Sequence, residues 1–214
     1  GIQLIHIFED EWLLKKDVVK SRLKNILGLT ENKIYARDCK IKETHFTETK
    51  SFLDINHIQG NINSKISLGL YYNEELVSIM TFGDLRIATG NKKTENTYEL
   101  LRFCNKLNTT VIGGASKLFN KFLKEYNPSS VLSYCDLSWG TGALYENLGF
   151  RQNGETKPNY FYVLKGKREN RFSYRKDILV KHGYDSTKTE HEIMLERGVY
   201  RIYDCGTMKY LLKD

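Results

Sequence analysis

The sequence lacks the features that mark disordered, membrane-spanning and disulfide-bonded chains. Only two of its 214 residues are proline and 40% are hydrophobic, which argues against disorder. No apolar run approaches the roughly 20 residues that a membrane-spanning helix needs. The four cysteines are widely spaced with no CxxC pair, so neither a disulfide framework nor a zinc site is predicted. We therefore expect a folded intracellular protein with no membrane partner.

The excess of basic residues is the first feature that points to a partner. The formal net charge is +7 and the pI is about 9.1, which favours a polyanion such as DNA or RNA. After Gly166 the chain becomes strongly basic, with aromatic residues interleaved. The candidate nucleic-acid contacts in this basic segment are Lys165, Lys167, Arg168, Arg171, Phe172, Tyr174, Arg175 and Lys176. Cations can meet phosphates while rings stack on bases; the alternative is a solvated strand and loop.

Hydrophobic periodicity and turn residues predict alternating strands and helices. Strands are expected at 2–8, 33–43, 98–105, 130–136 and 160–166, with a hairpin at 64–84. Helices are expected at 12–27, 44–60, 116–126 and 140–150, and the tail is expected to form a short helix followed by a hairpin around Gly206. The polar loop 85–97 is too long for a tight turn and is a candidate functional segment. The pattern predicts one mixed sheet in an α+β fold.

Small residues stand at the start of one predicted helix. In "NTTVIGGASKLF", residues 108–119, Gly113, Gly114 and Ala115 precede the helical run. A helix start offers free N–H groups and the positive end of the peptide dipole, so these residues would let a phosphate approach the backbone. The alternative is a tight turn from strand to helix.

Three blocks in the middle of the chain, across residues 31–165, resemble the GNAT acyltransferase fold. "LGLYYNEELVSIMTFG" is similar to its central hairpin, "TVIGGASKLFNKFL" to its pyrophosphate-binding loop and helix, and "ALYENLGF" to its tyrosine-containing helix. The resemblance implies a mostly antiparallel mixed sheet flanked by helices and binding of acetyl-CoA or a related acyl-CoA. The implied cofactor-binding residues are Thr110, Val111, Ile112, Gly113, Gly114, Ala115 and Ser116. Thr110 stands where the motif [RQ]xxGx[GA] has Arg or Gln.

A narrower resemblance is to the phage Mom DNA-modification family, a divergent GNAT branch that acts on adenine in DNA. It rests on "YELLRF", "LSYCD" and "GALYENLGF". The resemblance implies that Glu99, Arg102, Asp136 and Tyr145 surround the point where the two central strands splay. Tyr145 would protonate the leaving thiolate, Asp136 or Glu99 would accept the proton of the amine, and Arg102 would hold an anion. The alternatives are core packing for Tyr145 and an ion pair that braces the sheet for Arg102.

The two ends of the chain resemble phage-encoded endonucleases related to very-short-patch-repair nucleases and homing endonucleases. The residues concerned are the opening 28, "KPNYFYV", "RFSYRKDILV" and "ERGVYRIYDCGTMKY". Gly1 opens the chain inside an apolar run, so we expect a piece of a longer protein whose nuclease domain precedes it. The implied domains are a nuclease remnant or linker helix at 1–30, a GNAT-like domain at 31–166 and a basic helix-hairpin extension at 167–214. No metal site is predicted.

Two functions follow. The first is a DNA-binding, targeting region of a phage-type mobile endonuclease, acting in the host cytoplasm. The alternative is an acetyl-CoA-dependent N-acyltransferase that acts on a nucleobase or another amine.

Overall fold

The computed structural model describes residues 2–86 and 94–213. The helices of these residues are α1 Glu9–Leu14, α2 Lys16–Ile26, α3 Phe46–Asn56, α4 Gly114–Tyr126, α5 Ala143–Asn147, α6 Lys176–Lys181 and α7 Glu190–Glu196. The strands are β1 Asn32–Tyr35, β2 Lys40–Glu43, β3 Ile66–Tyr72, β4 Glu75–Gly83, β5 Thr97–Asn105, β6 Thr109–Ile112, β7 Ser130–Asp136, β8 Arg151–Glu155, β9 Tyr160–Leu164, β10 Lys167–Asn170, β11 Arg201–Tyr203 and β12 Thr207–Lys213. Residues 87–93 of the polar loop predicted at 85–97 lie outside the described residues.

Seven strands form the central sheet, in the order β2-β3-β4-β5-β7-β12-β8. All neighbouring pairs are antiparallel except β5 and β7, which run parallel. A second sheet contains β10, β9 and β11, and β1 pairs with β6. The predicted mixed, mostly antiparallel sheet flanked by helices is therefore confirmed.

Helices cover both faces of the central sheet because the strands alternate their apolar side chains between the two faces. On one face, Phe122 of α4 stacks on Phe82 of β4, with ring centroids 3.6 Å apart. On the other, Phe52 and Leu53 of α3 pack against Ile79 of the same strand. The core therefore lies in two layers, with β4 and β5 buried between them.

Several predicted turns, helix ends and element bounds agree with the structure. The hairpin of β3 and β4 turns at Asn73 and Glu74, which both have positive φ, as a two-residue turn that follows the twist of the strands requires. Gly28, after α2, has a φ of +72°, consistent with a glycine stop for that helix. The strands at 98–105 and 130–136 and the helix at 116–126 are confirmed to within two residues.

Three predicted strands or hairpins were wrong, and the helix predicted at 12–27 is interrupted at Lys15. Residues 2–8 form no strand, and Ile2 and Leu4 are 99% and 70% exposed, because this run lacks a ladder partner among the described residues. The strand at 33–43 is broken into β1 and β2 by a 3-10 turn at 36–38. The hairpin around Gly206 does not form, since β11 pairs with β9 whereas β12 lies between β7 and β8.

Candidate functional site

A split in the middle of the central sheet forms the site. β5 and β7 pair only through Thr97–Glu99 and Ser130–Leu132, although both strands continue beyond these residues. At the same level Leu101 has no partner on β4, because Leu100 pairs with Phe82 and Arg102 with Thr81. Such a bulge bends its strand and redirects the side chains that follow it. The two strands thus diverge, and backbone and side chains of both become available to a ligand.

A cleft of about 520 Å³ opens at this split. Residues 100–103 of β5 and 134–136 of β7 line it together with α2, the end of α3 and the start of α5. An adjoining cavity of about 300 Å³ shares its α2 residues and extends along β5 to Thr109, the first residue of β6. The combined space runs from the split toward the strand that leads into α4.

Tyr145 of α5 projects onto the split. Its hydroxyl donates to the carbonyl oxygen of Tyr134 on β7 at 3.2 Å, and its ring stacks on Tyr210 of β12 with centroids 5.0 Å apart. Burial raises the pKa of Tyr145 above its ordinary value, so the phenol keeps its proton at neutral pH. The core-packing role and a proton-donor role are compatible, because the ring packs while the hydroxyl lines the cleft.

Gly142 makes this position of α5 attainable. It is the N-cap of the helix, with a φ of +88°, and a Cβ there would lie 1.8 Å from the hydroxyl oxygen of Tyr210. A side chain would therefore force α5 away from β12 and take Tyr145 with it.

Arg102 and Asp136 line the same cleft as Tyr145. The guanidinium of Arg102 donates to the carbonyl oxygens of Gly60 at 3.2 Å and Leu101 at 2.9 Å. Burial, with Arg86 nearby, lowers its pKa to about 10. Asp136 ends β7, and its Oδ1 accepts the backbone N–H of Ser138 at 2.9 Å. Three of the four predicted catalytic residues are thus brought together.

Glu99 lies apart from them. Its side chain is buried and accepts both the backbone N–H and the Nε–H of Arg86, at 3.1 and 2.8 Å. The alternative prediction for Arg102 was an ion pair that stabilises the sheet. Such an ion pair exists at Glu99, but its arginine is Arg86 rather than Arg102. Glu99 is not among the residues that line the cleft.

Sequence reasoning missed the far wall of the cleft. Arg22 of α2 stacks on the indole of Trp139, 4.5 Å from its centroid, while Val18 and Val19 of the same helix pack on that tryptophan. His57 also lines the cleft. Burial, followed by Arg102 and Arg22, lowers the pKa of His57 to about 3, so the imidazole is neutral at neutral pH.

The glycine pair starts α4 as predicted. Gly113 is the N-cap with a φ of +76°, a conformation that favours glycine. A Cβ on Gly114 would lie 3.1 Å from Cγ1 of Val111, so this residue permits close packing of helix on strand. Gly113 and Ser116 are exposed, and no hydrogen-bond acceptor within the described ranges receives the N–H groups of residues 114–116.

The remaining residues of the predicted cofactor loop flank this helix start. Thr110 is engaged by α2, since its Oγ1 lies 2.7 Å from Nδ2 of Asn25. Val111 is buried, Ile112 is 41% exposed and Ala115 packs against the main core. The loop therefore presents backbone rather than a charged side chain to a ligand.

The basic segment divides into structural and exposed residues. Arg168 binds Asp10 and Glu11 of α1, with Nε–Oδ1 and Nη2–Oε1 distances of 2.9 Å, and is only 19% exposed. Tyr174 packs in the small core around Tyr162, and Arg171 lies over the ring of Tyr160. The exposed residues are Lys165, Lys167, Phe172, Arg175 and Lys176. Arg168 holds α1 against β10 and is not free to contact a phosphate.

No helix within residues 2–86 and 94–213 is long and apolar enough to cross a membrane. No three His, Cys, Asp or Glu residues there are grouped closely enough to hold a metal ion.

The chain is similar to several solved acetyltransferases. A Bacillus subtilis acetyltransferase in complex with CoA is 13% identical, with 82% of this chain and 99% of that chain covered and a TM-score of 0.48. The ribosomal-protein-S18-alanine N-acetyltransferase from Escherichia coli is 11% identical over 82% and 93%, with a TM-score of 0.49. A GNAT family acetyltransferase from Elizabethkingia anophelis with acetyl-CoA bound is 12% identical over 83% and 99%, with a TM-score of 0.47.

No protein-family model and no curated protein sequence matches the chain.

Proposed function

We propose that this protein is an acyl-CoA-dependent N-acyltransferase with a GNAT-like fold. The observation that carries the proposal is the split between β5 and β7, where Arg102, Asp136 and Tyr145 meet in one cleft. This is where the GNAT resemblance expects an amine to meet a thioester. The substrate amine is not assigned by the fold.

The residues present suit an extended, phosphate-bearing cofactor. The N–H groups of residues 114–116 at the start of α4 lack acceptors among the described residues, Gly113 and Ser116 there are exposed, and the helix dipole favours an anion at this point. The cavity along β5 ends at Thr109, and β6 then runs to Gly113 over about 13 Å at the usual strand rise. Residues 113–116 would hold the pyrophosphate, and the cofactor would supply an activated acyl group at the split.

The cleft contains one residue that can accept and one that can donate the protons exchanged during acyl transfer. As the bond from the amine nitrogen to the carbonyl carbon forms and the carbon–sulfur bond breaks, the nitrogen loses a proton and the thiolate gains one. Asp136 is the carboxylate of the cleft and would accept the proton of the amine, whereas Tyr145 would donate to the thiolate. Glu99, which binds Arg86, has no part in this scheme.

Thiol release from acetyl-CoA in the presence of an amine panel tests the proposal. Asp136→Asn is expected to lower the rate about 100-fold, as loss of a general base does. Asp204→Asn is the matched control, because Oδ1 of Asp204 likewise accepts the backbone N–H two residues on, from Gly206 at 2.9 Å, but outside the cleft. No amine-dependent release by the wild type, or equal losses in both variants, would contradict the proposal.

Binding of DNA by the exposed part of the basic segment is a second proposal. Lys165, Lys167 and Lys176 form no ion pair within the described residues, and Phe172 beside them is 47% exposed. Replacing the three lysines by Gln should weaken duplex binding and reduce the slope of log K against log salt by about 3. An unchanged slope would show that this segment is a solvated surface.

A further inference from the structure

The cleft contains two arginines that have no carboxylate partner within residues 2–86 and 94–213. The side chain of Arg22 forms no hydrogen bond and no ion pair with any residue that the structure describes. Arg102 uses two of its N–H groups on backbone carbonyls and none on a carboxylate. A guanidinium has five N–H donors in a fork that suits an oxyanion, so both arginines retain unused donors.

This absence is unusual because both guanidiniums are partly buried. Burial is the largest influence on the pKa of each and lowers it below the ordinary value. Buried charges are ordinarily paired. Among the described residues, Asp136 is the only carboxylate that lines the cleft, it stands beyond ion-pair distance of both arginines, and His57 adds no negative charge.

The wall beside Arg22 carries another donor without an acceptor. The indole of Trp139 is 3% exposed, and its Nε1–H has no hydrogen-bond partner among the described residues. Arg22 stacks on this ring, so the two unused donor groups are neighbours. A wall rich in unpaired donors is suited to an acceptor-rich ligand group.

We propose that the acyl acceptor carries an oxyanion, a carboxylate or a phosphate, which Arg22 and Arg102 bind beside the split. This inference rests on the proposed function and names its substrate class. The anion is assigned to the acceptor because the phosphates of an acyl-CoA have their own place at α4, while its pantetheine arm and acetyl thioester are uncharged. The two cations also disfavour an acceptor that is only positively charged, such as a polyamine.

Matched amines test the inference by calorimetry, with and without acetyl-CoA. The pairs are β-alanine with propylamine and O-phosphoethanolamine with ethanolamine, so each pair differs by one oxyanion and the two pairs distinguish carboxylate from phosphate. At least one anionic amine is expected to bind about tenfold or more tightly than its neutral partner, as charge-assisted hydrogen bonds predict. Equal binding within both pairs would overturn the inference.

Variants identify the residues that hold the anion. Arg22→Gln is expected to abolish the preference for the anionic over the neutral amine, and Arg22→Lys is expected to retain part of it. Arg151→Gln, on exposed β8, should leave this preference unchanged. Arg102→Gln should weaken it independently, and urea unfolding verifies that each variant is folded. A preference that survives both Arg22→Gln and Arg102→Gln would overturn the assignment.

Comparison of two acyl-CoA donors shows whether the anion belongs to the acceptor or to the acyl group. The same measurements distinguish failure of this inference from failure of the proposed function. If wild type prefers succinyl-CoA to acetyl-CoA and Arg22→Gln does not, the anion belongs to the acyl group and the inference is wrong. If neutral and anionic amines are acylated equally, the inference fails while the transferase function stands. If anionic amines bind through Arg22 but acetyl-CoA does not bind, the subsite stands and the transferase function fails.

Discussion

The hydroxyl of Tyr145 lies 3.2 Å from the carbonyl oxygen of Tyr134, so α5 delivers a protonated phenol to the strand that borders the split. The ring is fixed independently, by stacking on Tyr210. Chemistry and packing at Tyr145 can therefore be separated by removing the hydroxyl alone.

Tyr145→Phe is expected to reduce kcat for acyl transfer about 100-fold, because the leaving thiolate loses its proton donor. The KM for acetyl-CoA should stay close to that of the wild type, since the ring and the α4 start are unchanged. Steady-state thiol release measures both. Tyr126→Phe is the control, because it also removes one hydroxyl, bonded to Glu43 at 3.0 Å, but at the far end of α4. Equal kcat values for Tyr145→Phe and the control would exclude Tyr145 as the donor.

Gly142→Ala is expected to destabilise the protein by about 2–5 kcal/mol, from backbone strain plus the clash with Tyr210. Gly154→Ala has a similar φ, +97°, with open space around it, so only the strain of about 1–2 kcal/mol applies. Urea unfolding of both variants measures the difference. Similar losses would show that α5 can move aside, and that its position at the split is not fixed by Gly142.

Loss of Arg168 tests the contact between α1 and β10. Arg168→Gln leaves Asp10 and Glu11, with side chains 14% and 13% exposed, without their cation, so we expect a loss of about 2–3 kcal/mol. Arg175→Gln breaks an exposed pair with Asp177 and should change stability by less than about 0.5 kcal/mol. Thermal unfolding compares the two. A small effect of Arg168→Gln would mean that this arginine is available to a ligand after all.

The pH dependence of stability reports on His57. Its pKa falls from 6.5 to about 3 on folding, so the unfolded chain takes up a proton first as the pH decreases. The free energy of unfolding should therefore decrease as the pH falls from 6.5 toward 3. His57→Asn should lessen this decrease relative to wild type, whereas His182→Asn, at the exposed end of α6, should not. Urea unfolding at pH 7 and pH 5 compares them; parallel losses in all three proteins would show that His57 is protonated in the folded state.

The sequence predicts those parts of the site that depend on local pattern. The strand at 98–105, the helix after Gly113 and the short helix with Tyr145 all have signals within a few residues, and the family resemblance, rather than these signals, places Glu99, Arg102, Asp136 and Tyr145 around one split. The bulge at Leu101 has no such signal, because it depends on pairing with β4. Strict alternation would place Glu99 and Arg102, three residues apart, on opposite faces of the strand, so without the bulge the sequence pattern misplaces the two side chains relative to each other.

Long-range packing decides the rest. Arg22 reaches the cleft only because Val18 and Val19 pack α2 on Trp139, more than 100 residues away. Long-range pairing also decides which sheet each strand of the carboxyl-terminal segment joins. β11 pairs with β9, whereas β12 enters the central sheet, although Gly206 between them has the positive φ expected at a turn. A turn signal predicts a reversal of the chain but not the sheet that each arm joins.

Calorimetric titration with acetyl-CoA tests the central claim most directly, using wild type, Gly113→Asp and its uncharged isostere Gly113→Asn. Both substituents tolerate positive φ better than other side chains do, but only Asp places a negative charge at the N–H groups proposed for the pyrophosphate. We predict micromolar binding by wild type, binding by Gly113→Asn, and binding about tenfold or more weaker by Gly113→Asp. No binding by wild type at millimolar acetyl-CoA, or equal affinities of the two variants, would contradict the account.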